Sequence, residues 1–209
     1  MVLSLFMFGK TMQIPIYGEV IKSKTDSKSE EIARPFLERY LKELIGQNKE
    51  TIQRHQLNSM LILRDGKDCG EEFKAIQNVI EWFQKQGLFS ADFKYDFIEY
   101  HKSTLKQIKI WEKKGPNYAN CLEGSYLLLD TDTAILNTTG AGTLHQGTAS
   151  PILIRKKHTE CDLLKVLEDI FVTSQLNFSS PRVSQRLTYP AKRTDEQLKD
   201  KMAQEILRF

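Results

Sequence analysis

A chain of 209 residues, 40% of them hydrophobic and 27% charged, has the length and composition of a globular domain with its own hydrophobic core. Its net charge of +3 is small, so charge alone neither requires nor excludes a nucleic-acid partner. The three cysteines are widely spaced and form no C-x-x-C pair, which indicates neither a disulfide framework nor a zinc site, and a reducing cytosol is expected.

The chain begins with an apolar run, Met1 to Phe8, which Gly9 and Lys10 end. The run is too short for a membrane span and lacks the basic start and cleavage site of a signal peptide, so we expect a buried β-strand and no membrane. A start inside a core strand indicates that preceding sequence is missing, although a native N-terminal strand also fits the pattern. A second strand is expected over residues 14–22.

A polar loop over residues 23–29 leads into the first expected helix, and its last serine can cap that helix. Glu30 and Glu31 fall in the first turn, where acidic side chains interact favourably with the helix dipole. Apolar residues then recur at helical spacing from Ile32 to Ile45, and we expect Gly46 to end the helix.

The next segment has the pattern of a strand followed by a helix. Met60 to Leu63 is a short apolar run that ends in Arg64-Asp65-Gly66-Lys67, and residues 71–86 have the spacing of an amphipathic helix. Later in the chain we expect five strands, over residues 93–100, 105–111, 125–129, 134–137 and 152–154. Two helices are expected over residues 160–174 and 195–207. This alternation, without an internal repeat, predicts one α/β domain with a mixed sheet and helices on both faces.

Asp65 is the strongest candidate for chemistry. It follows a buried strand, and open α/β sheets place ligands at the carboxyl ends of their strands. With Arg64 and Lys67 beside it, this carboxylate could hold a divalent metal next to a phosphate backbone. An aspartate before a glycine is also a common turn pair, so Asp65 taken alone does not decide between the two roles.

Residues 60–72 (MLILRDGKDCGEE) resemble the strand, turn and acidic helix start of the PIWI domain of Argonaute proteins. Other segments resemble prokaryotic Argonautes in the same order and spacing; they are residues 97–109 (FIEYHKSTLKQIK), 123–140 (EGSYLLLDTDTAILNTTG), 147–151 (GTASP) and 175–181 (QLNFSSP). The resemblance covers nearly the whole chain. It implies a ribonuclease-H-like fold, with residues 1–209 as the C-terminal part of one PIWI domain.

In this family a ribonuclease-H-like site cuts a target strand paired to a guide, and four side chains hold two Mg²⁺ or Mn²⁺ ions. The resemblance places Asp65 and Asp195 at the third and fourth metal positions. It assigns Glu31 to a mobile glutamate, with Glu30 as the close alternative. Asp195 and both glutamates could equally be acids at helix starts with no other function. The first aspartate has no counterpart, because the chain begins after the strand that carries it.

Lys192, Arg193 and Arg186 lie near the fourth metal position in sequence, and we expect them to contact guide or target phosphates. Lys102 could extend this surface, together with the two basic residues that flank the third metal position. The resemblance also implies that the C-terminal carboxylate, on Phe209, helps to bind the 5′ end of the guide. Each basic residue could instead be a solvated surface charge.

The remaining candidates are assigned no role in catalysis or binding. His145 and His158 lack the partner spacing of a metal site. Trp82 and Trp111 fall within apolar patterns, which favours the core over base stacking. The glycine-rich residues 140–147 lack the spacing of a dinucleotide or phosphate loop, which argues against a small metabolic enzyme.

We therefore expect a cytoplasmic, nucleic-acid-binding PIWI module of a split or truncated Argonaute, which holds a guide and target of DNA or RNA and cannot cleave alone. The alternative is a subunit of a guide-directed, metal-dependent endonuclease, in which a separately encoded N-terminal half supplies the missing strand and aspartate. A missing strand would leave an unpaired sheet edge and apolar surface, which predicts aggregation or obligate pairing.

Overall fold

The computed structural model describes residues 30–66, 70–101, 110–139, 150–158 and 162–176, the backbone of residues 2–8 and 13–20, and the single positions 192, 196 and 199. The chain forms two compact units. The first takes in Met1–Met60, Asp68–Lys94 and Arg193–Phe209, and the second takes in Leu61–Lys67 and Tyr95–Lys192. Among the described helices, none is both long enough and apolar enough to cross a membrane.

The first unit contains an antiparallel strand pair and three helices. They are β1 (Val2–Phe8), β2 (Gln13–Val20), α1 (Glu30–Gln47), α2 (Lys49–His55) and α3 (Glu71–Lys85). Helices α1 and α3 pack together and are joined by polar contacts. Glu38 accepts a 2.7 Å hydrogen bond from the Asn78 amide, and the Arg34 guanidinium lies 3.6 Å from the Glu71 carboxylate.

Most of the strands belong to the second unit. They are β3 (Ser59–Asp65), β4 (Lys94–His101), β5 (Trp111–Lys114), β6 (Asn117–Asn120), β7 (Tyr126–Leu128), β8 (Thr133–Leu136) and β9 (Ile152–His158), followed by helix α4 (Leu163–Gln175). Five of them form one sheet in the order β3-β4-β9-β8-β7, and β5 and β6 form a separate hairpin.

The five-stranded sheet is mixed. Strand β4 is antiparallel to β9, β9 is antiparallel to β8, and β8 is antiparallel to β7. Strands β3 and β4 are parallel, because the Lys94 N–H donates to the Asn58 carbonyl at one end and the Gly66 N–H donates to the Tyr100 carbonyl at the other, both at 3.0 Å. The predicted α/β class and mixed sheet are confirmed.

The core of the second unit lies between the sheet and α4. Alternate residues of the strands face one side, and a run of apolar residues on α4 packs against them. The buried residues of this core are Ile98, Tyr100, Ala134, Leu136, Ile152, Ile154, Leu163, Val166, Leu167 and Ile170. Helix α4 begins after Asp162, whose carboxylate accepts a hydrogen bond from the Leu164 N–H.

Several local predictions differ from the structure. The first helix continues one residue past Gly46, and α2, which was not predicted, follows after Asn48, whose side-chain amide donates to the Leu44 carbonyl at the end of α1. The prediction that Trp82 and Trp111 lie in the core is wrong, since they are 40% and 53% exposed. Each tryptophan is next to an apolar residue in the sequence, but its own side chain lies on the solvent-exposed side of its helix or strand.

Gly124 allows a test of how tightly α4 is held. Its φ is +83°, and a Cβ at this position would lie 3.3 Å from the ring of Phe171 on α4. We expect Gly124→Ala to lower the free energy of unfolding by about 1–3 kcal/mol, because it adds backbone strain and displaces the ring. Urea denaturation would measure the change.

Gly87→Ala is the matched control for this substitution. Gly87 also has a positive φ, +70°, but a Cβ there would meet nothing within 4 Å. Backbone strain alone should cost about 1 kcal/mol. Equal losses in the two variants would show that the contact with Phe171 does not constrain α4.

Candidate nucleic-acid and metal site

Asp65 lies where the sequence predicts it, at the carboxyl end of β3 and exposed to solvent. Gly66 follows with φ +87°, a conformation that glycine adopts without the strain of a side chain. The Gly66 N–H donates to the Tyr100 carbonyl, and the Arg64 guanidinium donates to the carbonyl of Asp65. These bonds fix the turn beside the end of β4, so Asp65 is held at the carboxyl edge of the parallel strand pair.

The described residues do not by themselves fit a metal site. In that part of the chain, no group of three or more His, Cys, Asp or Glu side chains could hold an ion. Asp195 lies outside the described residues, and of Glu30 and Glu31 only the backbone is described, at the start of α1. The assignment of Mg²⁺ or Mn²⁺ to Asp65 and Asp195 stays a prediction.

Most of the predicted nucleic-acid contacts also fall outside the described residues. These are Lys102, Arg186, Arg193 and Phe209. Lys192 is described and is half-buried. His158, which the sequence left without a role, stacks on Tyr95 with ring centroids 4.5 Å apart.

A charged cluster inside the sheet was not predicted. Glu99, in the middle of β4, is only 1% exposed. Its carboxylate oxygens lie 3.4 Å from Nε2 of His101, 3.9 Å from a guanidinium nitrogen of Arg155 and 3.9 Å from Nζ of Lys157. We call these four residues the Glu99 cluster. Arg155 and Lys157 are 47% and 38% exposed, so the cluster presents positive charge to solvent.

The strand register creates the Glu99 cluster. Glu99 pairs directly with Arg155 across the antiparallel β4–β9 ladder, and His101 is on the same face because it is two residues further along β4. A register shift between Phe97 and Ile98 leaves Lys157 as an extra residue in β9. Lys157 follows Arg155 by two residues, and its ammonium lies within reach of the same carboxylate. The available signal in the sequence was a glutamate inside the mostly apolar segment of β4, together with the basic run Arg155–His158 at the end of β9.

Removing the charge of Glu99 should destabilise the fold more than removing one of its partners. We expect Glu99→Gln to lower the free energy of unfolding by about 1–3 kcal/mol, because it brings cations together without their buried counterion. Arg155→Gln should cost less than about 1 kcal/mol, since Lys157 still lies beside the carboxylate and Arg155 is half-exposed. Urea midpoints would compare the two, and a larger loss in Arg155→Gln would contradict this account of the cluster.

Comparison with known proteins shows similarity at the level of structure. No protein-family model matches the sequence, and no curated protein matches it. A structure of Clostridium butyricum Argonaute bound to a guide DNA and a 19-mer target DNA has 26% sequence identity and a TM-score of 0.55 over 76% of this chain. Marinitoga piezophila Argonaute in complex with a 5′ OH guide RNA and target DNA has 18% identity and a TM-score of 0.55 over 88%.

A structure of Aquifex aeolicus Argonaute matches 77% of this chain with 19% identity and a TM-score of 0.51. This chain spans between 20% and 25% of the length of these three proteins. Its fold is therefore Argonaute-like. The mixed sheet with its helices is consistent with the ribonuclease-H-like fold that the sequence resemblance implies.

Proposed function

We propose that this chain is a PIWI-like module that binds nucleic acid and holds a guide paired to its target. The observation that carries the proposal is the Argonaute-like fold over most of the chain. The Clostridium butyricum protein, at 26% identity, is bound to a guide DNA and a target DNA, and the Marinitoga piezophila protein to a guide RNA and target DNA. We expect the module in the cytoplasm, where the few cysteines stay reduced.

We assign the duplex to the carboxyl edge of the parallel strands β3 and β4. Asp65 is exposed at this edge, and Lys102 directly follows the last residue of β4 in the chain. Lys192 and its predicted companions Arg186 and Arg193 would contact phosphates, which position a duplex without reading its sequence. The carboxylate of Phe209 would help to hold the guide's 5′ end.

The module alone is proposed to bind without cleaving, because only part of the expected carboxylate set has a counterpart in its sequence. The second candidate is a subunit of a metal-dependent endonuclease that a separate N-terminal half completes. The position of β3 favours this candidate, since among the described strands β4 is its one neighbour in the five-stranded sheet. An edge strand of a sheet can pair with a strand from another chain.

Binding would be tested with a labelled guide–target duplex by fluorescence anisotropy. We expect affinity to fall as salt rises, with a slope of about −0.9 in log–log form for each phosphate contact. Lys192→Gln should reduce the magnitude of that slope by about one contact. Asp65→Asn should not weaken binding, because it removes a negative charge from a surface that faces phosphates. The absence of salt-dependent binding to any guide–target duplex would contradict the proposed function.

Cleavage would separate the two candidates. With Mn²⁺ added, we expect the chain alone to leave a guide-paired target intact. If a separate N-terminal half restores cleavage, Asp65→Asn should abolish it, while Asp92→Asn, at an exposed turn with no predicted role, should not. Cleavage by the chain alone would overturn the proposal that it only binds. Cleavage by a reassembled pair carrying Asp65→Asn would remove Asp65 from the expected ligands.

A further inference from the structure

The β5–β6 hairpin lies outside the five-stranded sheet. Its antiparallel strands are joined by Gly115 and Pro116. All four residues of β5 are exposed, as are the first two of β6, and the last two of β6 are half-buried. A two-stranded hairpin exposed on both sides has no core of its own. Packing therefore does not account for the large aromatic side chains that it carries.

The register sorts the side chains of the hairpin onto two faces. Trp111 pairs with Asn120 and Lys113 with Tyr118, so these four residues share one face, which we call the aromatic face. Glu112 and Lys114 lie on the opposite face and form an ion pair at 3.5 Å. In the described part of the chain, no carboxylate pairs with Lys113. The aromatic face thus combines two rings with one uncompensated positive charge.

Both rings of the aromatic face are open to solvent. Trp111 is 53% exposed and Tyr118 is 61% exposed. Within the described residues, neither ring stacks on another ring or lies under a cation, although other aromatic residues do. Trp82, for example, contacts the edge of Phe83 at 4.7 Å and has the Lys42 ammonium 5.0 Å from its ring. Because Trp111 and Tyr118 are diagonal neighbours across the strands, about 7 Å separates their positions.

We propose that the aromatic face binds a single-stranded segment of nucleic acid. Trp111 and Tyr118 stack on two unpaired bases, and Lys113 contacts the phosphate backbone beside them. Exposed rings next to a cation match the flat bases and charged backbone of a single strand. A duplex hides its base faces, so exposed rings favour unpaired bases over paired ones. The proposal rests on the proposed function and adds a second, distinct contact to it.

The test compares an oligothymidylate of about 12 nucleotides with a blunt guide–target duplex, using the full chain and fluorescence anisotropy. The double variant Trp111→Ala/Tyr118→Ala should lose affinity for the single strand by about tenfold or more. The variant Trp111→Phe/Tyr118→Phe keeps two rings and should stay within about threefold of the original affinity. Glu112→Gln/Lys114→Gln alters the opposite face of the same hairpin and is the matched control. Duplex affinity should be unchanged in all of them.

Two further measurements report on the hairpin itself. Trp82→Phe leaves Trp111 as the one tryptophan of the chain, which has two. The oligothymidylate should quench its fluorescence, because stacked bases quench indole, and the duplex should not. Lys113→Gln should reduce the salt slope for single-strand binding by about 0.7.

The outcomes distinguish this inference from the proposed function. If the double alanine variant binds the oligothymidylate as tightly as the original chain, the inference is wrong and duplex binding still supports the proposed function. If the original chain binds neither nucleic acid, both are wrong. A dimer that the double alanine variant abolishes, without quenching of Trp111 by the oligothymidylate, would identify a second copy as the occupant and overturn the inference.

Discussion

Strand β4 must bury six consecutive residues although two of them, Asp96 and Glu99, are acidic. On one face Ile98 and Tyr100 pack in the core against α4, and on the other face Glu99 is almost inaccessible to water. A buried carboxylate without counterions would cost several kcal/mol, so β9 has to place its cations around it. The register between β4 and β9 is therefore fixed twice, by apolar packing on one face and by charge on the other.

This register sets the geometry of the rest of the sheet. On one side of β4 the parallel strand β3 ends at Asp65, and the bond from Gly66 to the Tyr100 carbonyl fixes the turn that follows. On the other side of β4, β9 pairs with β8, and Thr133 of β8 lies opposite Arg155. A slip of one residue along β4 would turn Glu99 towards the core and move Asp65 relative to the sheet edge. The candidate site thus depends on contacts that include none of its own functional groups.

The two surfaces that we propose for nucleic acid differ in their chemistry. The carboxyl edge of β3 and β4 presents the exposed Asp65, and the basic residues that we assign to it would contact the regular phosphates of a duplex. The aromatic face of the β5–β6 hairpin presents two rings and one lysine, which suit bases that are not paired. Under the proposed function, the module would meet both forms wherever the guide or the target extends beyond the paired region. The two surfaces can be tested separately, since neither shares a residue with the other.

The sequence by itself determined the strands and helices with strong periodicity, the position of Asp65 at a strand end, and, through colinear motifs, the Argonaute-like fold. Helix α2 and the β5–β6 hairpin were not predicted, because α2 buries only Ile52 and the hairpin has no buried face. Only the tertiary structure decided that Trp82 and Trp111 are exposed and that Arg155 and Lys157 meet Glu99. The physical reason is that periodicity reports which side of an element is apolar, whereas the pairing of β4 with a strand more than 50 residues away decides what each side meets.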